Sequence, residues 1–374
     1  MKIQFQKLSL LFCIIFCTNF LFAQNNKMVA VKVVVAGTSH GHVSWILNRA
    51  KDSVIEIVGI YEPNVAIAKK NAQKFNLPLS LFYTDLKKAL EATQPEAVVA
   101  FGSIHEHLNV VKVAAPMHIP IMVEKPLASS LAEAKEMETI VKKYNVPLLT
   151  NFETSWYPST FEAFRLISDS NYVGQIRKVV FHHGHQGPKE IGVSDEFFNW
   201  LTDPVENGGG AIVDFGCYGA NLMTYLMHGE KPISVTAVTR NYKPNLYPQV
   251  DDDATIIINY ENSQAVLQAS WNWTFSRKDM EIYGDSAYII AVNANKMRLR
   301  NKESMPEYEK TVTNKNIHVY TDPFSYLQAY LRGVEKIQPY GLYSFENNMM
   351  VVKILEAAKQ SAKTGKTVLF NNLK

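Results

Sequence analysis

The sequence is poor in cysteine: it has three, and two of them, Cys13 and Cys17, lie in its first apolar run. Without that run Cys217 has no partner, so we expect no internal disulfide even in an oxidising compartment. The formal net charge is only +3 and basic tracts are lacking, which argues against a nucleic-acid partner. The 374 residues, 47% of them hydrophobic, instead suit a globular protein of roughly two or three domains, stabilised by its cores.

Long apolar runs are equally scarce, and the longest extends from Leu8 to Phe22. Lys2 and Lys7 precede this run and Ala23 follows it, which is the pattern of a secretory signal peptide. The run is too short and too poorly flanked to favour a membrane span. We therefore expect residues 1–23 to be a signal peptide cleaved after Ala23. The mature protein would be periplasmic or secreted, without stable membrane insertion.

A glycine-bearing turn follows the first strand pattern, Val31 to Ala36, and leads into a helical pattern from Ser44 to Ala50. Strand, glycine turn and helix together form the context in which backbone N–H groups face a dinucleotide pyrophosphate. The usual G-x-G-x-x-G spacing is altered, because Ser39 and His42 stand at its second and third glycine positions. The residues of the turn that we expect to contact the cofactor are Gly37, Thr38, Ser39, His40 and His42.

An acid ends the second strand pattern at the position expected for binding the adenosine ribose. Glu62 lies 25 residues after Gly37, close to the spacing of about 20 in dinucleotide-binding domains. Because a carboxylate there repels a 2′-phosphate, it favours NAD over NADP as the cofactor. The alternative interpretation is a solvent-facing glutamate at a strand end.

Strand and helix patterns alternate through residues 28–150, which predicts a Rossmann domain with a doubly wound parallel sheet. The pattern changes in residues 151–374, where several strands follow one another with short turns. This indicates a second, α+β domain with a large, open and mostly antiparallel sheet. The overall class is α/β. We expect the last helices, about 323–337 and 344–363, to be able to pack back on the first domain.

Five features follow one another along the chain: the 37–42 turn, Glu62, the 102–107 segment, Glu124-Lys125-Pro126, and the run from Gly208 to Tyr218. Together they resemble the Gfo/Idh/MocA family of NAD(P)-dependent oxidoreductases, which act mainly on sugars and related polyols. The resemblance extends over essentially the whole chain after the signal peptide. It implies a small carbohydrate substrate and a homo-oligomer that associates through the open sheet.

The resemblance also implies roles for residues of the first domain. Lys125 matches the family's catalytic lysine, and Glu124 matches the residue beside the nicotinamide ribose. His107 stands where the family usually has a histidine. Gly102 and Ser103 replace the usual Thr-Pro near the nicotinamide side, a departure that concerns cofactor binding more than the fold.

In the second domain, Asp214 matches the family's acid, and Tyr218 replaces the commoner histidine four residues later. Tyrosine at this place is similar to the branch that contains glucose-fructose oxidoreductase and dimeric dihydrodiol dehydrogenase. Hydride removal from a carbinol carbon needs a base for the hydroxyl proton, and free tyrosine has a pKa of about 10. We expect Lys125 to lower the pKa of Tyr218, with Asp214 in support. The alternative is a tyrosine that only packs a helix on the sheet.

Further side chains are candidates for contacting a sugar. His183 and His185 share a face of a predicted strand, and Trp200 could stack on a sugar ring. The full set of predicted substrate residues is Asn151, Trp156, His183, His185 and Trp200. His182, His183 and His185 also allow a metal interpretation, but no cysteine or carboxylate motif completes a zinc site, so we expect no metal.

Other aromatic and basic residues have two interpretations each. For Trp271 and Trp273 we favour sheet packing or a subunit interface. Lys189, Arg277 and Lys278 could contact an acidic substrate, although lone basic residues are usually solvated.

Three functions remain open at this point. The first is a sugar or glycoside dehydrogenase that holds NAD tightly, because free NAD is scarce outside the cytoplasm. The second is a redox-neutral glycosidase that oxidises its sugar transiently, eliminates the aglycone and returns the hydride. The third is a non-catalytic relative that binds sugar or nucleotide, against which the complete set of Lys125, Asp214 and Tyr218 argues.

Overall fold

The computed structural model of the protein describes residues 28–49 and 51–373. The predicted signal peptide lies outside the described residues. No helix in the described ranges is long and apolar enough to cross a membrane.

The first sheet contains six parallel strands in the order β3-β2-β1-β4-β5-β6. The strands are β1 (Val31–Ala36), β2 (Ile55–Tyr61), β3 (Phe82–Tyr83), β4 (Ala97–Ala100), β5 (Ile121–Glu124) and β6 (Leu148–Asn151). Strands β1, β4 and β5 are almost entirely buried, which explains their continuous apolar sequences. The helices among them are α1 (Ser44–Leu47), α2 (Val65–Lys74), α3 (Leu86–Thr93), α4 (Glu106–Ala114) and α5 (Leu131–Tyr144).

The second sheet contains nine strands in the order β14-β13-β12-β11-β7-β10-β9-β8-β15. They are β7 (Ile176–Gln186), β8 (Ser234–Arg240), β9 (Asp253–Asn259), β10 (Gln264–Ser270), β11 (Asn272–Gly284), β12 (Tyr288–Ala291), β13 (Lys296–Arg300), β14 (Tyr308–Thr311) and β15 (Val368–Leu369). Neighbours are antiparallel except for the parallel pair β7 and β10. The predicted α/β class, with a parallel first sheet and a mostly antiparallel second one, is confirmed.

Helices cover one face of the second sheet. The remaining helices are α6 (Pro158–Ser170), α7 (Asp195–Leu201), α8 (Ala211–Asp214), α9 (Gly216–Leu226), α10 (Pro323–Leu331) and α11 (Phe345–Thr364). A Cβ on Gly219 of α9 would lie 2.6 Å from Leu267 of β10, so glycine permits the close approach of helix and sheet. Helix α11 also places Met349 and Val352 in the apolar core of the first domain.

Two elements differ from the sequence-based expectation. The helix expected from Ser44 to Ala50 ends at Leu47 and is preceded by a 3-10 turn, Gly41–Val43. The sequence after the triple glycine Gly208–Gly210 has the pattern of one helix ending at His228, but this helix is broken between Asp214 and Gly216. The carbonyl of Asp214 at this break accepts hydrogen bonds from Lys125 Nζ at 3.1 Å and Cys217 Sγ at 3.2 Å. The break therefore lies where the two domains meet.

Candidate functional site

A cavity of about 380 Å³ lies between the two domains, beside the carboxyl end of β1. Ligands of open parallel sheets bind at such strand ends. The first domain contributes the Thr38–Ser44 turn, the flank of α2 and Lys125. The residues of the second domain that line the cavity include His185, Asp214, Phe215, Tyr218, Trp271 and Lys278.

Lys125 and Asp214 form a buried ion pair across the domain boundary. Lys125 Nζ donates to Asp214 Oδ1, and the two side chains are 8% and 9% exposed. Burial opposes the charge on Lys125, but Asp214 raises the pKa of the ammonium above its usual value. Burial likewise opposes the charge on Asp214, and Lys125 nevertheless lowers its pKa to about 2. Both groups are therefore charged at neutral pH.

Trp271 holds the other oxygen of Asp214. Its side chain is fully buried, and Nε1 donates to Asp214 Oδ2 at 2.9 Å. With Oδ1 taken by Lys125, the carboxylate has a donor on each oxygen. Asp214 is thus placed to orient Lys125 rather than to accept a hydrogen bond from a sugar hydroxyl.

Tyr218 lies one helical turn after Asp214 and lines the cavity. Its ring centroid is 5.1 Å from Lys125 Nζ and 5.1 Å from Lys278 Nζ. Burial, followed by the charge of Glu153, raises the pKa of Tyr218 well above its usual value. The expectation that Lys125 lowers this pKa is wrong for the described structure, because Asp214 compensates the lysine and burial disfavours a phenolate.

Glu124 is the centre of a hydrogen-bond network that supports the site. It accepts from His42 Nδ1 at 3.0 Å and from Asn151 Nδ2 at 2.7 Å. Trp156 Nε1 extends the network by donating to Asn151 Oδ1 at 3.2 Å. Burial opposes ionisation of Glu124, but His42 lowers its pKa to about 2. Asn151 and Trp156, predicted as substrate residues, instead lie behind Glu124 and do not line the cavity.

The turn after β1 can accommodate a dinucleotide. Gly37 has φ +80°, and a Cβ there would lie 2.7 Å from both the N and Cα atoms of Gly102. Only glycine permits the turns after β1 and β4 to approach so closely. Ser39, at the second glycine position, lines the cavity beside them. These features fit the close backbone approach that a pyrophosphate needs.

Glu62 lies against the same turn. Its carboxylate accepts a hydrogen bond from Thr38 Oγ1 and another from Asn64 N at 3.0 Å. Thr38 Oγ1 in turn accepts from Asn71 Nδ2 at 2.9 Å. Because Glu62 is 4% exposed, the alternative of a solvent-facing glutamate does not hold.

The remaining predicted cofactor residues are buried beside the cavity. His107 Nδ1 donates to the Leu127 carbonyl oxygen at 3.2 Å, while its buried Nε2 has no hydrogen-bond partner among the described residues. Burial lowers the pKa of His107 to about 4, so the ring is neutral at neutral pH. Ser103 Oγ donates to Glu206 Oε2 at 2.5 Å and thereby joins the two domains. An unpartnered ring nitrogen is consistent with a polar ligand in this region.

Trp200, predicted to stack on a sugar ring, packs against His40 of the predicted cofactor-binding turn. Their ring centroids are 5.5 Å apart, and Trp200 is 7% exposed. Burial also lowers the pKa of His40 well below its usual value. The proposed stacking platform at Trp200 is therefore not present in the described structure, because this ring fills the space beneath the 37–42 turn.

The three histidines of β7 have different surroundings. His185 lines the cavity and meets Phe215 edge-on at 4.8 Å. His183 is buried 5.4 Å from the Tyr218 ring, and burial followed by Lys278 lowers its pKa to about 3. His182 Nδ1 lies 3.2 Å from Asp279, whose carboxylate is also bound by Arg277.

Sequence reasoning missed several contributors to the cavity. Trp271 was expected in sheet packing or an interface, and Lys278 was considered either a contact for an acidic substrate or a solvated side chain. Helix α7 also reaches the first domain, where Phe197 packs 5.1 Å from His40 and Glu196 pairs with Lys70 at 2.7 Å. Only the tertiary fold brings these residues to the turn, so no local pattern could identify them.

Replacing Trp271 with phenylalanine should lower the free energy of unfolding by about 1–3 kcal/mol, since it leaves a buried carboxylate oxygen of Asp214 without its donor. Denaturant unfolding monitored by circular dichroism measures the change. Trp273→Phe is the matched control two residues further along the chain, because Trp273 is only partly buried. A loss no larger than that of the control would contradict the assigned hydrogen bond.

Comparisons with known proteins agree with this architecture. A model of the oxidoreductase family with an NAD-binding Rossmann fold matches residues 31–152, and a model of the GFO/IDH/MocA C-terminal domain matches residues 161–290. Trans-1,2-dihydrobenzene-1,2-diol dehydrogenase of Xenopus tropicalis is 28% identical over 221 residues, which are 58% of this chain and 61% of that relative. The chain thus matches less than two thirds of the relative's length.

Solved structures share the fold. Levoglucosan dehydrogenase in complex with NADH and levoglucosan superimposes with a TM-score of 0.77 at 18% identity, covering 91% of this chain and 99% of the other. The aldose-aldose oxidoreductase from Caulobacter crescentus, complexed with glycerol, gives a TM-score of 0.73 at 19% identity, with coverage of 91% and 99%. The two family models together match more than half of the chain, which belongs to the Gfo/Idh/MocA family of oxidoreductases.

Proposed function

We propose that the protein transfers hydride between a hydroxyl-bearing carbon of a sugar or glycoside and a tightly held nicotinamide dinucleotide. The observation that carries this proposal is the position of Lys125, Asp214 and Tyr218 at one end of the cavity that begins at the 37–42 turn. The names of the relatives, which include a diol dehydrogenase and a levoglucosan dehydrogenase, support a polyhydroxylated substrate.

A bound dinucleotide would supply the hydride acceptor or donor, since none of the protein side chains can take that part. The residues that we expect to hold it are those of the 37–42 turn, with Gly102 and Ser103 after β4 and His107 in the first turn of α4. Glu62 beside the turn favours NAD, because a buried carboxylate repels the additional phosphate of NADP.

The proton of the substrate hydroxyl is donated and accepted by a side chain of the protein. Tyr218 is protonated at neutral pH, so it is suited to donate to the developing alkoxide when a carbonyl substrate is reduced. In the oxidative direction the same oxygen accepts the hydroxyl proton once the phenolate has formed. Lys125 lies beside the ring and is fixed by Asp214, so its positive charge favours the anionic states of substrate and tyrosine.

Retention of the cofactor would allow the enzyme to work after export, where free NAD is scarce. The contacts from the second domain support this part of the proposal. A Cβ on Gly41 would lie 2.8 Å from the Phe197 ring of α7, and the Lys70–Glu196 pair joins α7 to α2. These contacts cover the turn on which the pyrophosphate would rest.

The open face of the second sheet supports a homo-oligomer. Its outer positions include Val238, which is 55% exposed, and the partly exposed residues Ile257 and Val266. A second copy of the chain would cover these apolar side chains.

The test uses the full exported protein. We expect purification to yield bound NAD, and we expect nicotinamide reduction with at least one member of a panel of aldoses, glycosides, levoglucosan and trans-1,2-dihydrobenzene-1,2-diol. Sugar release without net reduction would instead establish the redox-neutral glycosidase. A protein that neither contains nor takes up dinucleotide, and turns over nothing, would be a non-catalytic relative.

Gly37→Ala should weaken NAD binding by about 5- to 140-fold, because the turn must leave its present conformation to relieve the strain. A residue forced into the left-handed region costs about 1–3 kcal/mol, and each 1.4 kcal/mol is about a factor of ten in affinity. The new Cβ also collides with Gly102 at 2.7 Å. Gly333→Ala is the matched control, because Gly333 has φ +71° and a Cβ there would have no other described atom within 4 Å. Equal NAD affinities in titration calorimetry of the two variants would contradict this placement of the cofactor.

A further inference from the structure

Lys278 reaches the catalytic end of the cavity from the second sheet. It lies on β11 opposite His183 of β7, and its side chain is 16% exposed. Its Nζ atom is 5.1 Å from the Tyr218 ring centroid, the same distance as Lys125 Nζ. Two ammonium groups, one from each domain, therefore approach a single tyrosine ring.

Glu153 fixes Lys278 in this position. One carboxylate oxygen accepts from Lys278 Nζ, and the other accepts from Tyr157 Oη at 2.7 Å. Burial opposes ionisation of Glu153, but Lys278 lowers its pKa below the usual value. Because Lys278 also lines the cavity whereas Glu153 does not, the pair presents its positive member to the reaction site.

Charged and titratable groups face Tyr218 from every neighbouring element. They are Glu124 and Lys125 at the end of β5, Glu153 before α6, His183 and His185 on β7, Asp214 and Cys217 around the helix break, and Lys278 on β11. Burial lowers the pKa of His183 to about 3 and raises that of Cys217 to about 12, so both are uncharged at neutral pH. The balance therefore depends on three carboxylates, two lysines and His185.

The two lysines differ in how their charge is compensated. Asp214 binds Lys125 through Oδ1 and through its backbone carbonyl, with Trp271 on Oδ2, so this pair is held by four buried hydrogen-bonding groups. Glu153 is more exposed, at 29% of its side chain, and after burial its charge is the largest cause of the raised pKa of Tyr218. A change in the charge of Lys278 or Glu153 should therefore alter the electrostatic potential at Tyr218 without disrupting the Lys125–Asp214 pair.

We propose that Lys278, held by Glu153, is a positioning residue whose ammonium stabilises the negative charge that appears on Tyr218 when this tyrosine gives up its proton. The role rests on the proposed function, in which Tyr218 moves the substrate proton. Lys278 should have the same effect on Tyr218 in the protein without substrate, because all the groups involved belong to this chain.

The two members of the ion pair have opposite effects on a phenolate, which separates this role from simple packing. Removing the Lys278 charge should make ionisation of Tyr218 harder, whereas removing the Glu153 charge should make it easier. If the pair only held β11 against the segment before α6, both substitutions would weaken the contact in the same way and neither would move the ionisation of Tyr218.

The test is a pH titration of ionised tyrosine by ultraviolet absorbance, using the full chain without substrate. The protein has 18 tyrosines, so the Tyr218 signal is the difference between each variant and the same variant carrying Tyr218→Phe. We expect Glu153→Gln to shift ionisation of Tyr218 down by about one to three pH units. We expect Lys278→Met to raise the pH at which Tyr218 ionises, or to move it above the pH range in which the protein is folded. We expect Lys278→Arg to leave this pH as it is in the parent.

Lys310 and Glu162 provide the matched control. They form a similar ion pair between a strand of the second sheet and α6, away from the cavity, and the Glu162 side chain is fully buried. Lys310→Met and Glu162→Gln should leave the Tyr218 titration unchanged. The role of Lys278 would be overturned if Tyr218 ionised at the same pH in Glu153→Gln as in the parent. It would also be overturned if Tyr218 ionised at a lower pH in Lys278→Met. Failure of the proposed function is a separate result, seen as missing dinucleotide binding and turnover.

Discussion

Tyr218→Phe should lower turnover by about 10²- to 10⁴-fold, the usual contribution of a positioned acid or base. The substitution removes only the hydroxyl group from a ring that is 1% exposed and packed against Phe152 and His183. The packing is retained, so NAD affinity and the free energy of unfolding should remain close to those of the parent. Turnover is measured as nicotinamide reduction with the substrate identified in the panel.

Tyr260→Phe is the control for this substitution. Tyr260 is 5% exposed in the same domain, and its hydroxyl has no hydrogen-bond partner among the described residues. It therefore reports the effect of losing a buried tyrosine hydroxyl away from the cavity. If Tyr218→Phe were as active as Tyr260→Phe, the alternative of a tyrosine that only packs its helix would be correct.

The fold was largely predictable because its signals are local. The apolar run Val31 to Ala36 and the glycine turn after it identify the first strand of a parallel sheet, and the structure has β1 there. Likewise, Lys125 at the end of β5 was expected to meet the Asp214 segment, and the two side chains form an ion pair. Strand periodicity was sufficient for the first expectation, whereas the second followed from the resemblance to the Gfo/Idh/MocA family.

The electrostatics of the site were not predictable in this way. A lysine near Tyr218 suggested that the pKa of this tyrosine is lowered. The direction of the shift depends instead on burial and on Glu153, which approaches Tyr218 only in the folded chain. Trp200 looked like an exposed stacking surface because sequence cannot show that His40 would pack on it. Trp271 looked like sheet packing for the same reason, although its indole N–H fixes Asp214.

Lys125→Met should destabilise the protein by about 3–5 kcal/mol, the cost of leaving a buried charge without its partner. It should also abolish turnover. In the parent, the folded-state pKa of Asp214 lies below its unfolded value, so this carboxyl stabilises the fold above its unfolded pKa and the contribution is lost as the pH falls towards 2. Without Lys125, burial raises the pKa of Asp214, so the stability of the variant should instead decline as the pH rises from acid to neutral.

The double variant Lys125→Met/Asp214→Asn separates stability from function. It removes both charges while an amide oxygen can still accept from Trp271, so much of the lost stability at neutral pH should return. Turnover should stay as low as in Lys125→Met, because both variants lack the Lys125 ammonium beside Tyr218 and retain only that of Lys278. Denaturant unfolding across a pH series and nicotinamide reduction provide the two measurements. Recovery of turnover together with stability would show that Lys125 serves only to join the domains, and that the charge at Tyr218 is supplied by Lys278 alone.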